Sequence, residues 1–486
     1  MTSETRSTPN TAFSSLPISP AALENLERLG YAQMTPVQAA SLPSALAGGD
    51  LIVQAPTGSG KTTAFGLSLL ARLDAAVWQV QAMVLCPTRE LADQVAEELR
   101  KLARATGNVK VLSLCGGSPM KPQRESLSHG AHLVVGTPGR LLDHLERGTL
   151  DLTGLNTLVF DEADRMLDMG FIDDMVQLAK YCPPKRQTLL FSATFPEGIA
   201  ALASRFLKAP QRITVGAAPT KAAVVAGDTG EAAATGHIRQ IAYEVEESQR
   251  LHAVTQLLAH FRPDSTIAFC NTKQQCRDLV DVLAAQGYVA LALHGDLEQR
   301  ERDQVLIRFA NRSVSVLVAT DVAARGLDID DLSAVINVDI TPESEQHLHR
   351  IGRTGRAGRD GLALSLASMD EMGRIGRIEV AQKSEFTWAK LSSLTPSQPG
   401  VPLRPAMVTL QLLGGKKEKI RPGDVLGAFT GTAGFTASQI GKIKVTEFHT
   451  WVAVATDIAE EAVKRLGAGT LKGKRVKLRR IDEVIR

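Results

Sequence analysis

Residues 55–62 read Ala55-Pro56-Thr57-Gly58-Ser59-Gly60-Lys61-Thr62 and lie between a short apolar run, Leu51-Ile52-Val53, and a helical-looking segment from Thr63 to Leu73. A strand that turns through glycines into a helix N-terminus aims backbone N–H groups and the helix dipole at an anion. Gly58 and Gly60 permit the backbone angles and the close approach, Lys61 reaches terminal phosphates, and the Thr62 hydroxyl is placed to hold Mg²⁺. The strict phosphate-loop pattern begins with Gly, where this chain has Ala55. A plain Gly/Ser turn before a capped helix leaves Lys-Thr at this offset unexplained. The expectation is a nucleoside triphosphate site.

Two further clusters belong to the same chemistry. Asp161 and Glu162 end an apolar run, where the first acid suits a metal ion and the second suits positioning or deprotonating water for attack on a γ-phosphate. Alone, they read equally well as an acidic helix cap. Residues 350–359 alternate Arg350, Arg353, Arg356 and Arg359 with Gly352, Gly355 and Gly358. Glycine costs a helix about 1 kcal/mol per residue, so this is a poor solvated helix face and a better loop for presenting guanidinium groups to phosphate.

The elements that must position these groups follow from hydrophobic pattern. Short apolar runs at 82–86, 109–112, 132–135, 157–160 and 188–191 alternate with longer helical patterns. Buried strands separated by helices predict a parallel α/β sheet covered on both faces, with functional loops at the strand C-termini. A second alternation starts at Ile238, with runs at 266–269, 289–293, 315–318, 334–337 and 362–366 but no phosphate loop. The expected organisation is a disordered N-terminus over 1–12, an ATP-binding domain over 13–215, an Ala/Gly/Thr-rich flexible linker over 216–236, and a second like domain over 237–390. A Pro-rich linker over 391–405 then leads to a small domain over 406–486 with the order βαββαβ, the split-βαβ arrangement.

Bulk properties narrow the partners. The 486 residues are 44% hydrophobic and 22% charged, as in ordinary globular proteins. The net charge of +3 is unevenly spread: from Pro405 onward there are 15 Lys/Arg against 8 Asp/Glu, and before it 40 against 44. A basic C-terminus points to a polyanion. The five cysteines form no CxxC pair and fall mostly in apolar runs, so buried thiols are expected rather than disulfides or zinc. No apolar run approaches a membrane span and no leader is recognisable, so the expectation is a cytoplasmic protein.

Residues 13–380 resemble a DEAD-box RNA helicase, with the family's motifs in order and Asp161-Glu162-Ala163-Asp164 as its namesake. The resemblance implies two tandem RecA-like domains, ATP and Mg²⁺ as cofactors and RNA as partner. It implies that Gln38, in the segment Gly30–Gln38, reads the adenine and that Phe13 stacks on it. Ala55 through Thr62 is the family's own form of the phosphate loop, so Ala55 is expected. Lys61, Asp161 and Glu162 become catalytic, with Thr62 and Asp161 on the metal. Asp164, Ser192 and Thr194 couple hydrolysis to strand separation. In the second domain, Gly326 and Asp328 contact the nucleotide, and Arg325, His349 and Arg350 couple the domains. Arg353 and Arg356 are implied as γ-phosphate partners. RNA contacts are implied for Arg89, Gly117, Thr137, Arg140, Thr272, Gly295 and Thr320. ATP and single-stranded RNA together would close the domains and bend the strand so that a short duplex opens.

The final domain resembles the RRM-like RNA-binding domain of bacterial DbpA-type helicases through Val408–Asp424 and Ile440-Gly441-Lys442-Ile443. Of the positions that stack bases in an RRM sheet, Thr409, His449 and Val454 are not aromatic and only Trp451 is. Basic residues such as Lys442, Lys474 and Arg475 are therefore expected to carry more of the binding. The resemblance implies 23S ribosomal RNA in large-subunit assembly as target. A general RNA-remodelling helicase with an indiscriminate tail, and an ATP-gated RNA clamp with little unwinding, stay open on sequence alone.

Overall fold

The structure, a computed structural model, describes residues 11–56, 58–195, 197–215, 238–324, 332–355, 360–398, 400–467, 470–471, 474–475 and 477–481. Thr57, Arg325, Gly326, Asp328 and Arg356, the segment 216–236 and residues 1–10 lie outside these, as do the side chains of Lys474 and Arg475. The chain divides into two compact units.

The first unit is built on seven strands: β1 (Leu51–Gln54), β2 (Ala82–Leu85), β3 (Val111–Leu114), β4 (Leu133–Gly136), β5 (Thr157–Phe160), β6 (Gln187–Ser192) and β7 (Gln211–Thr214). They pair in parallel in the order β3-β4-β2-β5-β6-β1-β7. Successive side chains of a strand point to opposite faces, and the core splits accordingly. Leu51, Val53, Val84 and Val135 join one apolar cluster, whereas Ile52, Met83, Leu85 and Val134 join the other. Two buried faces explain why the strands read as continuous apolar runs. The edge strand β7 buries only Ile213, which is why it carried no such signal.

This strand order sorts the motifs. The phosphate loop, Asp161-Glu162 and Ser192 leave the adjacent strands β1, β5 and β6. The implied RNA residues Arg89, Gly117, Thr137 and Arg140 follow the neighbouring strands β2, β3 and β4.

The second unit repeats the architecture with β8 (Ile238–Glu244), β9 (Thr266–Cys270), β10 (Ala290–Leu293), β11 (Val316–Thr320), β12 (Ala334–Asn337), β13 (Gly361–Ala367) and β14 (Thr387–Ala389). The order is β10-β11-β9-β12-β13-β8-β14, again all parallel. Gly295, Thr320 and Thr272 lie at the ends of the adjacent strands β10, β11 and β9.

The same unit carries the C-terminal domain, with β15 (Met407–Leu413), β16 (Ile440–Val445), β17 (His449–Ala455), the short pair β18 (Thr470–Leu471) and β19 (Lys474–Arg475), and β20 (Leu478–Arg480). Its four-stranded antiparallel sheet runs β16-β17-β15-β20, with helices Pro422–Gly427 and Ala459–Gly467 in the expected places. The last strand falls at Leu478–Arg480 rather than Arg475–Leu478, because the β18–β19 hairpin intervenes.

The Pro-rich stretch differs from a free linker. Leu391 and Leu394 pack on the core of the second parallel-sheet domain. His260 Nδ1 pairs with the Thr395 carbonyl at 2.8 Å, Ser397 N donates to the Ala259 carbonyl at 3.2 Å, and Arg262 Nη1 to that of Val401 at 2.7 Å. Beyond it, Asn311 Nδ2 donates to Thr409 Oγ1 at 3.1 Å, and Ser313 Oγ lies 2.7 Å from the same hydroxyl. The C-terminal sheet is thus docked on the domain before it. The reason is composition: the segment supplies leucines and unpaired carbonyls to a ready surface, so its prolines make it extended without making it independent.

Candidate nucleotide and RNA sites

The phosphate loop is held from three sides. Gly60 adopts φ +93° and caps the helix Lys61–Ala71, so that helix starts on the loop itself rather than at Thr63. A Cβ at Gly60 would stand 2.5 Å from Gln38 Nε2, so glycine is required both by conformation and by space. Gln38 donates to the Gly60 carbonyl at 3.1 Å while its Oε1 accepts from Thr35 N at 2.9 Å, completing a capping box with the Thr35 hydroxyl. Lys61 Nζ donates to the Ala55 carbonyl at 2.7 Å, and Ala55 N donates to that of Ser192 at 3.0 Å. The small, buried Ala55 is what lets the loop pass this close to β6. Ser59 Oγ closes the turn on the Pro56 carbonyl at 2.8 Å, and Thr62 stays half-buried beside Lys61.

Facing Lys61, Asp161, Glu162 and Asp164 are all buried. Burial, then the neighbouring Glu162 charge, pushes the Asp161 carboxyl up to about 7, against the pull of Lys61. Burial likewise lowers the Lys61 ammonium, with the three carboxylates opposing. Glu162 sits at φ +53°, the left-handed region that a non-glycine residue rarely occupies, at the start of the helix Ala163–Asp168. Arg165 Nη1 is 3.3 Å from Glu162 Oε2, within ion-pair distance but out of line for a hydrogen bond.

The next acid has a different task. Asp164 Oδ2 accepts from Ala193 N at 3.1 Å, Thr194 N at 2.8 Å and Thr194 Oγ1 at 3.0 Å, while Asp164 N donates to Ser192 Oγ at 3.3 Å. Asp164, Ser192 and Thr194 are therefore one hydrogen-bonded unit. Phe13 is 5% exposed and packed into the apolar cluster with the helix Pro36–Leu46, so protein atoms already cover most of its ring.

Among the implied RNA residues of the first unit, Arg89 begins the helix Arg89–Leu102, Gly117 adopts φ +72°, and Thr137 stands at the N-cap position of the helix Pro138–Glu146 without a side-chain capping bond. Arg140 Nη1 donates to the Ser118 carbonyl and to Gln123 Oε1, both at 2.9 Å, and Gln123 Oε1 in turn meets His144 Nε2 at 3.0 Å. In the second unit Thr272 caps the helix Lys273–Ala285, accepting from Gln275 N at 3.2 Å. Gly295 is exposed and Thr320 ends β11. Lys442 is exposed on β16. Arg350 is 1% exposed and fully engaged. It pairs with Asp321 through Nε at 2.7 Å and Nη2 at 2.5 Å, and bonds the Asp339 carbonyl at 2.7 Å and Asn337 and Asn271 at 3.3 Å each. His349 is half-buried on the same helix, Ser344–Ile351, and Arg353 is buried just beyond it.

Comparison with known proteins agrees with this arrangement along the chain. Residues 35–202 match the DEAD/DEAH box helicase family, residues 249–358 the helicase conserved C-terminal domain, and residues 409–480 the DbpA RNA binding domain. The chain is 51% identical over 476 residues to the ATP-dependent RNA helicase DbpA of Escherichia coli, covering 96% of this chain and 99% of that one. It belongs to the DEAD-box ATP-dependent RNA helicases.

Other DEAD-box proteins match the core alone. CshA of Bacillus cereus is 44% identical over 342 residues, 70% of this chain and 62% of that one. Among solved structures, Saccharomyces cerevisiae Dbp5 bound to RNA and ADP BeF3 superposes with a TM-score of 0.69 at 28% identity, over 79% of this chain and 96% of that one. This DEAD-box helicase is accordingly an ATP hydrolase that acts on RNA. No helix among the described residues is long and apolar enough to cross a membrane, and the five cysteines are buried free thiols.

Residue patterns alone passed over several partners of these motifs. Arg165 was detectable, since it stands three residues after Glu162 on a helix. Gln123, Asp321, Asn271 and Asn337 were not, because each reaches its arginine from a distant part of the chain.

Proposed function

We propose that this DEAD-box helicase couples Mg²⁺-dependent ATP hydrolysis to local unwinding or remodelling of 23S rRNA during large-subunit assembly, in the cytoplasm. The observation that carries the reading is the DbpA RNA binding domain match at 409–480, placed after a complete helicase core. In this scheme Lys61 holds the terminal phosphates, Gln38 recognises the base with the buried Phe13 leaving only its rim for contact, and Glu162 orients or deprotonates the attacking water. Arg353 and Arg356 act on the same γ-phosphate. The unit formed by Asp164, Ser192 and Thr194 passes the state of the nucleotide to the RNA-contacting residues.

Mg²⁺ fits the donors present. Asp161 and Glu162 are adjacent and buried, and Glu162 Oε2 accepts no hydrogen bond among the described residues. No group of three or more His, Cys, Asp or Glu among those residues is arranged to hold a metal ion without further donors. The ion would therefore be held by Asp161 and the Thr62 hydroxyl together with oxygens of the nucleotide. Bound there, it neutralises charge on the transferring phosphoryl group.

The test is ATPase stimulation by 23S rRNA against unrelated RNA of equal length, with the full chain and with a chain ending after Arg404. Because Leu391, Leu394, Val401 and Leu403 are bound to the second domain, the cut belongs after them and not earlier. The full chain should prefer 23S rRNA, and the shortened one should respond to either RNA alike. Equal stimulation of the full chain by both RNAs would refute the target. A shortened chain that keeps the preference would refute the role of the C-terminal domain.

A further inference from the structure

The C-terminal sheet has two faces. Val408, Leu410, Leu412, Val452 and Val454 point to the helices and form the domain's core, so Val454 does not stand at the stacking position that the sequence pattern assigns it. Thr409, Gln411, Trp451 and Ala453 point the other way, the side on which an RRM stacks bases. All four are buried, and Thr409 bonds Asn311 and Ser313 of the preceding domain. Trp451, the aromatic residue that remained for stacking, is 5% exposed on the same face that Asn311 and Ser313 meet.

An aromatic ring is available elsewhere. Phe448, at the β16–β17 turn, is 53% exposed, and the Lys417 ammonium stands 4.2 Å from its ring centroid. The turn is strapped to the loop 414–419: Lys416 N donates to the Thr446 carbonyl at 2.9 Å, and Lys417 N to that of Glu447 at 3.1 Å. A Cβ on Gly415 would run into the Thr446 carbonyl and the Glu447 backbone, so glycine is what allows the two loops to touch. The side chain of Glu447 returns to Lys417 at 3.5 Å. Lys416 is exposed beside this corner, and the exposed Lys442 and Lys444 line β16 as it leads into the turn. The strapped turn and the Lys417 ammonium hold the ring in place while leaving half of it open to solvent in a lysine-rich corner. A π face with a cation over it and basic side chains around it fits an unpaired base and its flanking phosphates.

We propose that the C-terminal domain takes single-stranded RNA at this corner, with a base stacked on Phe448 and phosphates paired by Lys416 and Lys417, and not on its sheet. The proposal rests on the reading that this domain binds the RNA target. It adds where that contact is made.

The experiment measures affinity of the nucleotide-free full chain for a labelled 23S rRNA fragment and for unrelated RNA of equal length, each over a range of salt. Phe448→Ala should weaken binding about 5- to 150-fold, the equivalent of one stacked base, with an unchanged salt slope. Phe448→Trp should bind like the parent. Changing Lys416 and Lys417 together to alanine should reduce the salt slope by about 0.7 per lost phosphate contact. Parental affinity in Phe448→Ala would overturn the proposal, as would equal loss in Phe448→Ala and Phe448→Trp, which marks the ring as structural. Tighter binding when Asn311 and Ser313 are both changed to alanine, with Phe448→Ala neutral, would move the RNA to the sheet and also overturn it. Loss on both RNAs alike in Phe448→Ala would keep the corner as a binding site, whereas a parent that does not distinguish the RNAs would refute the 23S target separately.

Discussion

Arg165 Nη1 stands 3.3 Å from Glu162 Oε2, with both side chains buried and Glu162 held at φ +53°. The pair closes across one helical turn. It fixes where the second acid of the namesake motif points, while the first, Asp161, is left toward Lys61. Adjacent carboxylates thus face different partners, as two separate roles in phosphoryl transfer require.

Arg165→Met should leave a buried carboxylate without its cation and cost about 3 kcal/mol or more of the first unit's stability. Hydrolysis should slow more than ATP binding weakens. Chemical denaturation together with nucleotide titration measures both. Parental stability and turnover would show the pair to be incidental.

Lys61→Ala should lose ATP binding or turnover, since its ammonium lies on the phosphate loop, 2.7 Å from the Ala55 carbonyl and opposite the buried acids. Glu162→Gln keeps size and hydrogen bonding, so it should bind ATP and hydrolyse it slowly. Single-turnover hydrolysis at saturating ATP separates the two. Normal turnover in Glu162→Gln would remove it from the chemistry.

Asp164→Asn keeps the shape of the unit with Ser192 and Thr194 but turns one accepting oxygen into a donor facing the Ala193 and Thr194 N–H groups. The expected result is ATPase activity that survives while strand displacement per ATP falls several-fold. Displacement yield measured against phosphate release tests this. Parallel loss of both activities would place Asp164 in hydrolysis instead.

Arg350 and Arg353, three residues apart, should fail differently. Arg350→Ala strands the partly buried Asp321 carboxylate and should cost roughly 3–5 kcal/mol of the second unit's stability. Arg353→Ala should lower ATP hydrolysis by roughly 10³-fold, as lost arginine fingers do. A thermal melt paired with an ATPase assay distinguishes them. Parental ATPase activity in Arg353→Ala, or a stable Arg350→Ala protein, would overturn the assignments.

His347 is buried on the same helix, edge-on to Phe386 and bonded to Gln240, and burial depresses its pKa to about 3. The unfolded chain binds its proton near pH 6.5, so below that pH the unfolded state takes up a proton that the native state refuses. Stability should be fully present above about pH 6.5 and fall by about 2 kcal/mol by about pH 5. His347→Gln should flatten that part of the stability profile. An unchanged slope would mean that another group carries it.

Local pattern determined a great deal here. The phosphate loop, Asp161-Glu162, the Arg/Gly repeat and the two alternations of apolar runs were legible because strand and helix periods and turn residues are local properties. The βαββαβ order of the last domain was readable for the same reason. Pairing order decided the rest, since which strand lies beside which depends on contacts distant in sequence. β1, β5 and β6 became neighbours and brought Lys61, Asp161 and Ser192 together, while β2, β3 and β4 carried the implied RNA residues to the other half of the sheet. Edge strands β7 and β14 were silent because short, half-solvated strands leave little apolar signature. Arg350 reads as one more arginine in a basic run, and only its distant partners Asp321, Asn271 and Asn337 make it a buried tie. Thr409 and Trp451 likewise read as a sparse stacking face. The docking of Asn311 and Ser313 closed that face, because a buried hydroxyl takes whatever partner the tertiary packing brings to it.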